Sequence, residues 1–68
     1  MKSISGKDFA RLLEPHGWEL KRIHGSHHIY AKLGSPARIS VPIYGNTLLK
    51  IGLLKHLMKQ AGLQESDL

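Results

Sequence analysis

Trp18-Glu19-Leu20-Lys21-Arg22-Ile23-His24-Gly25-Ser26-His27-His28-Ile29-Tyr30-Ala31-Lys32-Leu33 carries two strand patterns on either side of a short turn. Its first part starts with period-two alternation, and the alternation slips at Arg22-Ile23. His24-Gly25-Ser26 then supplies turn chemistry. In the part that follows, Ile29, Ala31 and Leu33 share one face, and His28, Tyr30 and Lys32 share the other. Two antiparallel strands joined as a hairpin are predicted, with the Ile29 face turned to the core.

Working outward, Gly34-Ser35-Pro36 makes a second turn, and Ile39, Val41 and Ile43 then alternate with Arg38, Ser40 and Pro42 in a third strand. A proline cannot donate to a ladder, so Pro42 belongs on an edge or at the strand's last residues. Upstream, Ser5-Gly6-Lys7-Asp8 has the spacing of a capping box, in which the hydroxyl and the carboxylate each satisfy an orphan amide. Phe9, Leu12, Leu13 and His16 then fall on one helical stripe, opposite Lys7, Arg11 and Glu14. Pro15 and Gly17 end that helix near residues 14–16. Downstream, Tyr44-Gly45-Asn46-Thr47 reads as a loop, and residues 50–61 place Leu54, Leu57, Met58 and Ala61 on a second apolar stripe, with Lys55, His56 and Lys59 opposite and Gly62 just past the end. Residues 64–68 carry no packing pattern and are expected to fray.

The predicted class is α+β: α-β-β-β-α, a three-stranded antiparallel sheet with two helices on one face. Each helix has one apolar stripe to bury, so both cover the same side of the sheet. That order is also the order of double-stranded-RNA-binding domains. At 68 residues a single domain spanning 1–68 is expected.

Ten Lys and Arg against five Asp and Glu give a net charge of +5 and a pI near 9.9, which points to RNA, DNA or an acidic protein as partner. No run approaches the roughly 18 apolar residues of a membrane span, so no membrane association is expected. The opening Met1-Lys2-Ser3-Ile4-Ser5 lacks an apolar run of signal-peptide length. Cysteine is absent, which excludes disulfide staples and thiolate metal sites and makes the cytoplasm the expected compartment.

Three of the five histidines, His24, His27 and His28, crowd the hairpin turn beside Gly25 and Ser26. Imidazole titrates near neutral pH, so a turn histidine could take the proton of an RNA 2′-hydroxyl and let that oxygen attack the adjacent phosphorus without a metal. Lys21, Arg22 and Lys32 could stabilise charge on the phosphoryl oxygens. A bland reading stands beside each. His27 shares parity with core-facing Ile29 and Ala31 and could be a packed strand-end residue; His24 could be a solvated turn residue; His28 could be a cross-strand packing partner on the open face. A His24, His27, His28 metal site is disfavoured, since adjacent strand residues point to opposite faces and no Asp, Glu or Cys lies nearby. His16 reads as a cation at a helix C-terminus, and His56 as solvent-facing. Phosphate-binding Gly-rich loops, nucleophile elbows, paired carboxylates and thiols are missing, which leaves histidine chemistry. Ser26 beside glycine reads as a residue that fixes the turn.

Taken together, Gly17-Trp18, Arg22-x-x-Gly25-Ser26-His27-His28-Ile29-Tyr30, Ile39-x-Val41-Pro42, Gly45-Asn46 and Gly52-Leu53-Leu54-x-x-Leu57-x-Lys59-Gln60-Ala61-Gly62-Leu63 resemble the HicA family of mRNA interferase toxins nearly end to end. The resemblance implies a double-stranded-RNA-binding-domain-like fold, metal-independent and cofactor-free cleavage of mRNA, and a catalytic histidine directly after Gly-Ser, which is His27. It also implies a HicB-type antitoxin as partner; a monomer is expected when the chain is free. Tyr44 departs from it, standing in a loop where many members carry a histidine.

The resulting expectation is an endoribonuclease with His27 as general acid or base, Gly25 and Ser26 shaping the turn, and His28 or His24 as a second proton-transfer group. Lys21, Arg22, Tyr30, Lys32, Lys55 and Lys59 would hold single-stranded RNA. The rival is a non-catalytic RNA-binding module in which Tyr30 stacks on a base, and a third possibility is a module whose only partner is an acidic protein.

Overall fold

The computed structural model describes residues 3–68, so Lys2 of the opening segment lies outside the described residues. In chain order the elements are α1 (Gly6–Leu13), β1 (Trp18–His24), β2 (His27–Lys32), β3 (Arg38–Pro42) and α2 (Ile51–Ala61), with 3-10 turns at Glu14–His16 and Glu65–Asp67. The sheet runs β1-β2-β3, antiparallel throughout, which is the α-β-β-β-α arrangement expected.

α1 begins because Ser5 accepts the Asp8 amide on its Oγ at 3.1 Å. The reciprocal arm of the capping box is not made; the Asp8 carboxylate lies 3.6 Å from the Arg11 guanidinium instead. Pro15 falls in the first turn of the 3-10 segment, where its missing N–H is not needed, and Gly17 at φ 91° turns the chain into β1. α2 ends at Gly62, also left-handed, whose amide donates back into the last turn.

Phe9 and Leu13 from α1, Ile39 and Val41 from β3, and Leu54 and Leu57 from α2 are sealed from water and form the centre of the core. Each such side chain contributes about 1.5–3 kcal/mol by leaving water. The molecule is 18 Å through its thin axis, which accommodates one sheet and one layer of helices. The helices cover one face of the sheet, and the other is open.

The register assigns those faces differently from the sequence reading. Trp18 pairs with Lys32 and Leu20 with Tyr30; then Lys21 is an extra residue, a β-bulge, and the pairs continue as Arg22 with Ile29, Ile23 with His28 and His24 with His27. The slip in alternation at Arg22-Ile23 is this bulge. On the other side Tyr30 pairs with Ile39 and His28 with Val41. His28, Tyr30 and Lys32 therefore stand on the helix side, and His27, Ile29 and Ala31 on the open side, the reverse of what was expected. The reason is packing. Leu33 lies outside the strand and is 100% exposed, so the apolar triplet shrinks to Ile29 and small Ala31, whereas Tyr30 brings a large aromatic surface to the core and is 5% exposed.

The last residues, expected to fray, form a 3-10 turn. The Gln64 amide donates to the Asp67 carboxylate at 2.7 Å, Leu68 packs against the core, and His16 Nε2 lies 3.8 Å from Asp67. His16 also donates through Nδ1 to the Leu12 carbonyl at 2.8 Å; a carbonyl only accepts, so Nδ1 carries the proton. That contact satisfies a terminal carbonyl of α1, in keeping with the helix-end role read for His16.

Candidate active site

β1 and β2 are joined by two residues, Gly25 and Ser26, of which only Gly25 has a positive φ, 61°. That is the pattern of a type II′ turn, which demands glycine at its first central position. Nothing lies within 4 Å of a Cβ built at Gly25, so the conformation, not space, requires glycine. Ser26 is half-buried, and its carbonyl accepts the Ile43 amide at 2.8 Å, which carries the β2–β3 ladder up to the turn.

The turn sets His24 directly opposite His27. As the closing hydrogen-bonded pair of a two-residue hairpin, their Cα atoms are about 5.5 Å apart. Both side chains are exposed, on the open face. On the other flank His27 pairs with Pro42. Since Ser26 and Ile43 are hydrogen-bonded, His27 and Pro42 are a non-hydrogen-bonded pair; the missing N–H of Pro42 breaks no ladder bond, and the two side chains approach closely. Ser40 Oγ, one same-face step along β3, lies 3.3 Å from His27 Nδ1.

The open face thus consists of three rows: His24, His27 and Pro42; then Arg22, Ile29 and Ser40; then Glu19, Ala31 and Arg38. The bulged Lys21 joins the β1 side, its Nζ 3.1 Å from Glu19. Ala31 is buried yet belongs to no part of the core; the longer Glu19 and Arg38 flank it on either side. Among the described residues, Arg22 and Arg38 on this face form no ion pair, and Lys21 is paired with Glu19.

The structure brings His27, His24, Gly25, Ser26, Lys21 and Arg22 together, and separates them from the remaining candidates. Tyr30 is a core residue; burial pushes its phenol up from the ordinary value, and the Glu14 carboxylate adds to the shift. It presents no ring to a base, which corrects its assignment as a stacking residue. His28, half-buried and paired with Ile23 and Val41 on the helix side, does not share a face with His27. Lys32 points the same way as His28, its ammonium 5.9 Å from the centre of the Trp18 ring. Lys55 and Lys59 are exposed on α2, in the helical layer behind the sheet. Ser40 and Arg38 share the face of His27 and are not among the residues the sequence singles out. The signal was present in β3, where both alternate with Ile39 and Val41, but it could be used only once His27 was known to face outward.

Among the described residues, no three His, Cys, Asp or Glu side chains gather as a metal-holding group. A surface depression of about 400 Å³ lies away from His24 and His27, between the start of α1 and the chain's last residue, with Ser5, Asp8, Asn46 and Leu68 in its wall. Another, of about 180 Å³, adjoins Pro42. No described helix is long and apolar enough to cross a membrane.

No curated protein matches the sequence. A family model described as the HicA toxin of bacterial toxin-antitoxin matches residues 6–63, a span that runs from the first residue of α1 to just past the glycine cap of α2 and includes the whole histidine turn. With that much of the 68 residues matched, the chain belongs to the HicA family of toxins of bacterial toxin-antitoxin systems.

Proposed function

We propose that the protein is the toxin of its pair by virtue of endoribonuclease activity, cutting mRNA in the cytoplasm through acid-base catalysis by two opposed histidines. The observation that carries this reading is the placing of His24 and His27 across a two-residue turn on an open face, with Ser40 behind the Nδ1 of His27. With Nδ1 engaged, Nε2 of His27 is the nitrogen left for substrate. A hydroxyl can donate to Nδ1 or accept from it, so Ser40 holds the ring in either tautomer.

In the proposed reaction one imidazole takes the proton from a ribose 2′-hydroxyl, and that oxygen attacks the adjacent phosphorus. The bond to the 5′-oxygen breaks, and the second imidazolium gives its proton to that leaving oxygen. The products are a 2′,3′-cyclic phosphate and a 5′-hydroxyl. His27 is the residue supported by both the turn geometry and the family; His24 is preferred over His28 as its partner because only His24 shares its face. Arg22 and Lys21 are within one row of the reacting phosphate and supply positive charge where negative charge gathers. General acid-base catalysis contributes about 10²- to 10⁴-fold for each group. A HicB-type antitoxin that covers this open face would silence the toxin, which acts as a monomer when free.

The test is incubation of single-stranded RNA with purified protein and a chelator. Wild type is expected to fragment the RNA, His27→Ala to bind it without cutting, and His24→Ala to cut at a rate lower by about 10²-fold. Wild-type cleavage by His27→Ala removes that residue from the mechanism; binding without cutting by the wild type leaves the RNA-binding module.

A further inference from the structure

The protein has four aromatic side chains, and three of them, Phe9, Trp18 and Tyr30, are consumed by the core. Tyr44 is the exception at 59% exposed. It does not hang on a free loop: the Thr47 amide donates to its carbonyl at 3.0 Å, and Gly45 at φ 56° closes the turn. Tyr44 lines the depression of about 180 Å³ together with Pro42, Thr47, Leu48, Lys50 and Leu53. That volume is below the roughly 300 Å³ at which pockets begin to hold drug-sized ligands, so it suits one flat ring system.

Its position gives the ring an identity. One wall is Pro42, which occupies the same row as His27 and is its close, non-hydrogen-bonded neighbour. A nucleotide whose phosphate lies at His27 thus places an adjoining base one residue width away, over Pro42. The chemistry of the walls matches that occupant: the Tyr44 ring and a wall made mostly of aliphatic side chains suit the faces of a base, and Lys50, exposed beside it, is a cation within reach of the next phosphate.

We infer that the Tyr44–Pro42 depression is a base-binding subsite, in which a nucleobase flanking the scissile phosphate stacks on Tyr44 while Lys50 holds the neighbouring phosphate. This rests on the RNA-cleaving reading of His27, and deepens it by naming how the substrate is gripped on the β3 side. Stacking is tolerant of base identity, so the subsite fixes position and favours unpaired RNA, whose bases are free to turn out.

The test uses the full chain and a short 2′-O-methyl oligoribonucleotide, which lacks the attacking hydroxyl and stays intact. Its affinity is measured over a range of salt concentrations for wild type, Tyr44→Ala and Tyr44→Phe, with circular dichroism as the check on folding. Tyr44→Ala is expected to loosen binding by about 5- to 100-fold, by a similar factor at every salt concentration, because a ring and not a charge has been removed. Tyr44→Phe keeps wild-type affinity. An oligonucleotide without the stacked base loses the same factor on the wild type and nothing more on Tyr44→Ala. Binding by Tyr44→Ala within twofold of wild type overturns the subsite, as does a variant that weakens only the complex with the antitoxin, which would make the patch a protein-docking surface. A wild type that binds the oligonucleotide but never cuts RNA disproves the catalytic reading and leaves the subsite standing; a wild type that binds no RNA disproves both.

Discussion

Substituting alanine for glycine is expected to have opposite signs in the first turns of the two helices. Gly6 and Gly52 both lie there, neither with a positive φ. A Cβ at Gly52 meets nothing within 4 Å, so Gly52→Ala reduces the freedom of the unfolded chain and favours the helix by about 0.5–1 kcal/mol. A Cβ at Gly6 falls deep inside contact distance of the Pro42 carbonyl oxygen, and lies only 3.1 Å from its carbonyl carbon. That carbonyl cannot swing aside, because it shares a planar peptide unit with the Ile43 amide, which donates to the Ser26 carbonyl. Overpacking of this kind costs about 1–3 kcal/mol, which exceeds the helix gain, so Gly6→Ala is destabilising by about 1–2 kcal/mol. For a domain of this size each kcal/mol moves Tm by about 4–8 °C. Thermal denaturation followed by circular dichroism should show Gly52→Ala melting above wild type and Gly6→Ala below it. The Gly6 variant should also cut RNA more slowly, since seating α1 farther out displaces the row that holds His27. Equal or higher Tm for Gly6→Ala refutes the reasoning, for it would mean that α1 is not seated on the end of β3.

Ser40→Ala should lower kcat by about tenfold or less, the worth of one exposed hydrogen bond, with KM unchanged, and Ser40→Thr should restore it; a full-speed alanine variant denies Ser40 any part in holding His27. Arg38→Ala should reduce the dependence of log affinity on log salt by about 0.7 for single-stranded RNA, the signature of one lost phosphate contact, whereas Lys7→Ala in the helical layer leaves that slope unaltered. Equal slopes for the two variants would place the RNA elsewhere. The Tyr30 phenol is pushed up by burial, so the folded chain keeps its proton where the unfolded chain, near pH 10, gives it up. Its contribution is complete below pH 10 and is lost as pH rises through the folded value; the fall in stability above pH 10 should be shallower in Tyr30→Phe, and an identical alkaline fall in both chains would count against a buried phenol.

Much of this fold is legible in the chain because local signals and packing agree. Ser5 caps α1, Gly17 and Gly62 end helices in left-handed turns, and Leu54, Leu57, Met58 and Ala61 are buried as their spacing demands. Gly25-Ser26 makes a tight turn with His27 at its exit. The face of β2 was not legible, because a period-two pattern says which residues go together and not which set goes inward. Counting apolar residues favoured Ile29, Ala31 and Leu33, while the area of one aromatic ring, Tyr30 against Ile39, decided for the other side. The bulge at Lys21 compounds this, since it breaks the parity that links Trp18 to the turn. For the site, the inversion turns His27 from a residue as consistent with packing as with chemistry into an exposed one. It also puts Ser40 and Arg38, which no local motif marks, on the face of His27, and Tyr30, His28 and Lys32 on the other. Tyr44 sits outside every strand, so only the three-dimensional neighbourhood of Pro42 connects it to the histidines.

If the His27 imidazole cuts RNA, it does so by driving the RNA's own 2′-oxygen onto phosphorus. Mass spectrometry of the fragment ends, after incubation of RNA with wild type and with His27→Ala in chelator, reads this directly. The expected result is 2′,3′-cyclic phosphate and 5′-hydroxyl ends from the wild type and intact RNA from the variant. Fragments with 3′-hydroxyl and 5′-phosphate ends, or the same cyclic ends from His27→Ala at the wild-type rate, would contradict it.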